Sequence, residues 1–200
     1  MTRYDEGHKA RTRSTILSAA EVALRNEGIE GTRVSDVMSE VGLTHGGFYV
    51  HFDSKDDLVA EACAAGVVAA RDALVDVAES SSPEERVRAM LDAYLTGERR
   101  DRAGCTLATL SGEIARQPAH VRARFTDELQ RSLDVLAPTM NGDDEARRVD
   151  QIIALVSSMV GAMMLSRAVA DRALSDRILA VARRSLDAAV ESAGRRRRHG

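Results

Sequence analysis

Apolar residues recur along this chain three and four positions apart, and the Val/Ile/Thr alternation that strands require is almost absent outside short stretches. The pattern predicts helices nearly throughout. Ile16, Leu17, Ala20, Ala23 and Leu24 make one stripe of a first helix from Ala10 to Asn26, with Gly28 placed to end it and Met1 to Lys9 left as a mobile arm. Val34, Val37, Met38 and Val41 fall at i, i+3, i+4 and i+7 on a second, short helix that Thr32 caps and Gly42 closes in the left-handed conformation. A third begins with Thr44 as cap and ends near Phe52. A fourth runs from about Lys55 to Glu79 behind a Ser54 cap, with Asp57 three residues on and Leu58, Val59, Ala62, Ala65, Gly66 and Ala69 facing inward.

Ser80-Ser81-Ser82-Pro83 is the clearest break in the chain, and Ser82 and Pro83 are expected to start a fifth helix with Val87, Met90, Leu91, Tyr94 and Leu95 inside. A sixth follows Gly104, roughly Cys105 to Arg116. A seventh, after Pro118, reaches Leu136. The eighth begins at Asp143 or Asp144 and reaches about Ala170, and the ninth is capped by Ser175 and ends near Gly194. Ile152, Ile153, Leu155, Val156, Met159, Val160, Met163 and Met164 put apolar groups on more than one side of the eighth helix. A helix of that kind must be covered all round. Its own domain covers one side; the other is expected to meet a second copy of the chain, with Ala154, Ser158, Gly161 and Ala162 allowing close approach and the ninth helix completing a four-helix contact about a two-fold axis.

The stretch Gly42 to Phe52 is not explained by folding alone. The chain has three Phe and three Tyr, and Phe48, Tyr49 and Phe52 all lie here. Phe48 and Phe52, four apart, share a buried face; His45, Tyr49, Val50 and His51 are left to solvent, with Gly46 and Gly47 in the first turn. Two glycines cost a helix roughly 1 kcal/mol each relative to alanine, which suggests a backbone that something approaches closely. Two short helices joined across Gly42 have the spacing of a helix-turn-helix, whose second helix enters the DNA major groove.

Composition sets the limits of that reading. With 44% hydrophobic residues in 200, the chain supports real cores. The net charge of -3 is unusual for a nucleic-acid binder, so attraction to phosphate has to be local, from Lys9, Arg11, Arg13, Arg33 and Lys55. Cys63 and Cys105 lie far apart, with no CxxC and no His at ligand spacing; they read as reduced thiols of a cytoplasmic protein, with no metal site and no cofactor expected. The longest apolar run, Ile152 to Leu165, is interrupted by Ser157, Ser158 and Gly161 and falls short of the roughly 20 residues of a membrane span, so no membrane partner is expected. No nucleophile elbow, HExxH or phosphate loop is present, which argues against an enzyme.

From about Arg13 to about Ala62, with Val37, Gly42-Leu43-Thr44, Gly47-Phe48-Tyr49, His51-Phe52 and Ser54-Lys55 at the expected offsets, the chain resembles the DNA-binding domain of the tetracycline-repressor (TetR) family of transcriptional regulators. The resemblance implies an all-α protein of about nine helices: a helix-turn-helix domain over residues 1–54, and a ligand-binding and dimerisation domain over 55–200 with a basic tail at 195–199. It implies a homodimer that binds a near-palindromic double-stranded DNA operator, usually as a repressor, and releases it on binding a small-molecule effector. On this reading Arg33, Thr44, Tyr49 and Lys55 meet phosphate, while His45, Gly46, Gly47, Val50 and His51 face the groove floor. His51 has a competing role in capping its own helix. Met90, Tyr94, Leu107, Leu110, Phe125, Met159 and Met163 are the candidate effector lining, for an apolar or weakly polar molecule. Cys105, after Gly104 at a helix start, is a candidate redox- or electrophile-reactive thiol as well as a buried structural one. A helical adaptor without DNA binding is the remaining alternative.

Overall fold

The computed structural model describes residues 3–102, 104–142 and 144–197, with side chains described within 7–189. The described residues are helical and contain no strand: α1 (Arg3–Gly31), α2 (Val34–Glu40), a 3-10 helix (His45–Val50), α3 (Lys55–Glu79), α4 (Arg86–Tyr94), α5 (Gly97–Asp101), α6 (Thr106–Ile114), α7 (Ala119–Leu136), a single 3-10 turn (Ala137–Thr139), α8 (Glu145–Ala168) and α9 (Arg172–Arg197).

Two apolar cores are strung on one helix. Ile16, Ala20 and Leu24 of α1, Val37 and Met38 of α2, and Phe48 and Phe52 close the first core, together with Leu58, Ala62 and Cys63 from the start of α3 and with Leu110, Ile114 and Val121 from beyond it. The second gathers Leu74 and Ala78 from the far end of α3 with Met90, Leu91, Tyr94, Ile152, Met159, Met163 and Leu179. Since α3 supplies both, and α6 reaches into the first through Leu110 and Ile114, the cores are joined through packed side chains rather than through a linker.

Where α6 crosses α3 the fit is tight. A Cβ on Gly66 would stand 2.0 Å from Thr106 Oγ1 and 2.9 Å from Thr106 Cβ, so any other residue has to displace Thr106. A second junction lies at Gly28, whose φ of 77° breaks the helical geometry of α1 before its last turn. There the Ile29 N–H donates to Glu113 Oε2 of α6 at 2.7 Å. A third joins Thr106 Oγ1 to Glu21 Oε1 at 2.8 Å.

Several local expectations are corrected. The polar start of the chain is helical from Arg3 instead of a loose arm. Thr32 does not cap α2: it is buried and its hydroxyl donates back to the Gly28 carbonyl (2.8 Å), leaving Arg33 at the cap position. Gly42 does take the left-handed conformation (φ 72°), and Ser54 does cap α3, accepting from the Asp57 N–H at 3.0 Å. Ala69 faces outward. Residues 83–85 form turns before α4, because the Ser82 hydroxyl is spent on the Glu85 carboxylate (2.8 Å). The short α5 was not anticipated, since Gly97-Glu98-Arg99-Arg100-Asp101 has no apolar stripe to announce it. Of the two expected starts of α8, Asp144 accepts from the Ala146 N–H; Asp143 lies outside the described residues. Asp171, not Ser175, caps α9, accepting from the Ala173 N–H at 2.8 Å, while Ser175 is buried one turn in. The helix continues through Arg197, and Arg198 and His199 of the basic tail lie outside the described residues.

Taken over its whole length rather than over Ile152 to Leu165, α8 is long and apolar enough to cross a membrane by those two measures. Ile152, Leu155, Met159 and Met163 are nevertheless buried against the rest of the chain, as in the core helix of a folded domain.

The Gly66 crossing gives a direct test. Gly66→Ala should destabilise the protein by about 1–3 kcal/mol in denaturant titration, the range for overpacking, and Thr106→Ala in the same chain should restore part of the loss. If Gly66→Ala alone is neutral, the two helices are not in contact there.

Candidate nucleic-acid interface and effector cavity

The segment after α2 owes its shape to what it buries. Phe48 and Phe52 are almost wholly inside, their rings stacked at 5.5 Å, and burying each is worth roughly 1.5–3 kcal/mol. With those two rings fixed, the side chains between them have to point out. Tyr49 is 64% and Val50 58% exposed, and Tyr49 meets the His45 ring edge-on at 6.0 Å. The helix is 3-10 rather than α, and Thr44 occupies the cap position without a side-chain cap bond. Thr44, His45 and Gly46 are exposed and Gly47 is half-buried. Open space surrounds the Gly46 Cα, whereas Gly47 turns toward Met38 and Thr44. Arg33 is exposed at the start of α2; Lys55, at the start of α3, is half-buried beside Asp56 and Asp57.

His51 is only half out. Its Nδ1 is buried with no partner among the described residues, so it does not cap its helix through that atom. Desolvation, followed by the nearby charges of Lys9, Arg13 and His8, lowers its pKa from the ordinary 6.5. The positive charge of α1 therefore reaches the end of the 3-10 helix even though the domain as a whole is near neutral. Arg13 is shared inward: its guanidinium lies 4.7 Å from the centre of the Phe52 ring and 3.9 Å from Glu61.

In the second core, α3, α4, α6, α7 and α8 enclose an apolar cavity of about 30 Å³. Three of the residues singled out in the sequence line it: Tyr94, Leu107 and Met159. Met90 and Met163 are buried elsewhere in the same core, and Leu110 and Phe125 belong to the first core. The rest of the lining follows helical spacing. Val67, Ala70, Arg71 and Leu74 on α3, and Leu129, Ser132, Leu133 and Leu136 on α7, each fall at i, i+3, i+4 and i+7; Val156 and Val160 complete the wall. Ser132 is buried and its Oγ has no partner among the described residues. Arg71, which lines the cavity, pairs with Glu128 at 3.5 Å.

Residues 16–62 match the sequence profile of the bacterial regulatory proteins of the tetR family. Over that segment the chain is similar to the tetR-family regulators. It is 29% identical over 88 residues to the uncharacterized helix-turn-helix-type transcriptional regulator YfiR of Bacillus subtilis, covering 44% of this chain and 41% of that one. To the helix-turn-helix-type transcriptional regulator TtgR of Pseudomonas putida it is 36% identical over 59 residues, 30% of this chain and 28% of the relative. The chain thus spans less than half the length of these curated relatives. The TetR-type fold itself extends over nearly the whole chain. Reduced E. coli NemR superposes with a TM-score of 0.72 at 18% identity, covering 88% of this chain and 95% of that one. A TetR-family regulator from Cytophaga hutchinsonii gives 0.75 at 17%, covering 92% and 96%.

Two further features lie in the second half of the chain. On α8, Ala154, Ser158 and Leu165 are exposed, Leu165 at 60%, and Gly161 has open space above it; Ile153 and Met164 flank this stripe, and Leu174 and Val181 of α9 are exposed as well. Cys105 sits at the cap of α6, buried, with its Sγ 2.7 Å from the Tyr94 hydroxyl. Burial and the neighbouring thiol push the Tyr94 pKa upward. Of the three arginines near it in sequence, Arg99 lies over the Tyr94 ring at 5.1 Å, Arg100 turns to Asp176 and Arg102 to Glu98, so none of their charges is paired with the thiol. Cys63 is buried in the first core, and burial, with Glu21 and Glu113, pushes its pKa up to about 12.

In the free protein the His51 imidazole should titrate below 6.5 by NMR, so the folded state holds it neutral and loses stability as pH falls through 6.5 toward the folded pKa. Lys9→Gln should move the titration back upward. An unshifted midpoint in both proteins would contradict the geometry.

Proposed function

We propose that this protein is a ligand-responsive transcriptional regulator of the cytoplasm, acting as a dimeric repressor on a near-palindromic operator. Residues 1–54 read DNA; residues 55–200 hold the effector and the second copy. The observation that carries this reading is the outward row His45, Tyr49 and Val50, held rigid by the buried Phe48 and Phe52 beneath it. A folded domain gains nothing from exposing Tyr49 and Val50 beside its buried aromatic pair; a groove-reading helix needs them there.

Within each half-site Arg33, Thr44, Tyr49 and Lys55 contact phosphate. His45 donates to a guanine acceptor, Val50 meets a thymine methyl, Gly46 and Gly47 allow close approach, and His51 follows at the groove edge. The exposed apolar faces of α8 and α9 supply the contact between copies, and a two-fold axis sets the two readers roughly 34 Å apart on one side of the duplex.

The effector is a small, largely apolar molecule. In its present state the cavity is too narrow for one, so binding selects a wider arrangement of α3, α6, α7 and α8. Leu107 lines the cavity, while its neighbours on α6 hold α1 through Thr106–Glu21 and Glu113–Ile29. Widening therefore reaches the reader through α6 as well as along α3, and operator affinity falls by the effector's differential affinity for the two arrangements.

Tyr49→Ala and His45→Ala should each weaken binding to a duplex selected from random sequence by about 1–3 kcal/mol in fluorescence anisotropy, with two chains bound per duplex. A protein that stays monomeric and ignores every duplex at low salt would end this reading.

A second reading, a thiol trigger, rests on the Tyr94–Cys105 contact. Any group added to the buried Sγ has to displace Tyr94, which lines the cavity. N-ethylmaleimide should release the wild-type protein from DNA and leave Cys105→Ser bound. Equal release from both would remove Cys105 as the trigger.

A further inference from the structure

Between the end of α1, the short α5 and the junction of α8 with α9 lies an open cleft of about 430 Å³ that neither the reading face nor the apolar cavity uses. Its walls are polar and its charge is uneven. Arg100 is 5% exposed; its Nη1 donates to Ser175 Oγ (2.7 Å) and Asp176 Oδ1 (2.6 Å), its Nε to Asp101 Oδ1 (2.9 Å), and its Nη2 has no partner among the described residues. Arg172 pairs with Asp101 at 2.9 Å. Arg25 pairs with Glu21 at 2.6 Å. Arg167 donates to the Arg100 carbonyl at 2.7 Å and has no carboxylate within ion-pair distance among the described residues. Three of the four guanidinium groups thus pair with the carboxylates of Glu21, Asp101 and Asp176, a fourth carboxylate, Asp171, is turned to the backbone at the start of α9, and Arg167 is left without a carboxylate partner among the described residues in a concave site.

We propose that this cleft binds a small oxyanion, the carboxylate or phosphate group of a small molecule, with Arg167 and Arg172 as its direct contacts. Guanidinium forks match the paired oxygens of either group. The fork of Arg167 is already oriented by its bond to the α5 backbone, and Arg172 is held by Asp101, so little side-chain freedom is lost when the anion arrives. Arg100 lies beneath as a fixed charge, locked by its three acceptors, and offers the anion attraction without contact. The cleft walls come from α1, α5, α8 and α9, so a bound anion ties the end of the first helix to the body of the protein. The site is separate from the apolar cavity, and its occupancy is measured without DNA, so it stands or falls apart from the operator reading.

The test is calorimetric titration of the full chain with inorganic phosphate, pyrophosphate and succinate, at ionic strength held constant with sodium chloride. Saturable binding of one anion per chain is expected, and the phosphate and succinate arms decide which headgroup is preferred. Arg167→Gln and Arg172→Gln should each weaken it by about tenfold or more, the loss of one charge-assisted pair. Arg122→Gln, which removes an exposed charge on α7 outside the cleft, should leave affinity within about twofold. If Arg167→Gln fails to fold by circular dichroism, Arg172→Gln decides, because its guanidinium is mostly exposed. Absence of saturable binding by all three anions overturns the proposal. So does wild-type affinity in the folded cleft variants, or an equal loss in Arg122→Gln.

Discussion

The close crossing of α3 and α6 at Gly66 and Thr106 constrains the rest of the molecule. Because α3 carries side chains of both cores and α6 is pressed against it without room for a Cβ, neither helix can shift alone. The polar bonds around that crossing point the same way: Thr106 is tied to Glu21 and Glu113 to the kink after Gly28, so α6 grips α1 at two heights. An interior packed to this density transmits displacement instead of absorbing it. That makes the first core, whose outer surface is the proposed reader, mechanically continuous with the second, whose interior is the proposed effector cavity.

The energies involved are modest, and that suits a switch. Bonds such as Thr106–Glu21 and Ile29–Glu113 are each worth on the order of 1–3 kcal/mol when one partner is charged. Typical couplings between an effector and a second ligand span a similar range, about 1–3 kcal/mol. Remaking one or two such bonds would be enough to carry the proposed signal without a large rearrangement of the fold. The buried Phe48–Phe52 stack lies apart from these bonds and keeps the proposed reader a rigid unit.

Much of this was legible in the sequence. The apolar stripes of the long helices, the left-handed Gly42, the Ser54 cap and the outward row after Thr44 follow from period and residue type alone. Caps were the weakest part, because a hydroxyl near a helix start has competing partners that only the fold reveals: Thr32 turns back to the Gly28 carbonyl, Ser82 meets Glu85, and Ser175 is taken by Arg100. The 3-10 form of the reader comes from fixing Phe48 and Phe52 in one core, a tertiary demand that local propensity does not carry. Lining residues were hard for another reason. A methionine such as Met90 or Met163 looks the same in sequence whether it faces a cavity or a neighbouring side chain, while the stripes on α3 and α7 that do face the cavity look like ordinary core. The arginine cleft left no pattern at all, since its members come from four helices far apart in the chain.

The most direct test of the continuity between cavity and reader is a double-mutant cycle with operator affinity as its readout. Val160→Phe fills the cavity in place of an effector; Glu113→Gln weakens the grip of α6 on Ile29. If α6 carries the signal, Val160→Phe alone should weaken operator binding, and the loss should shrink by about 1 kcal/mol in the Glu113→Gln background. Strictly additive effects of the two substitutions would contradict it.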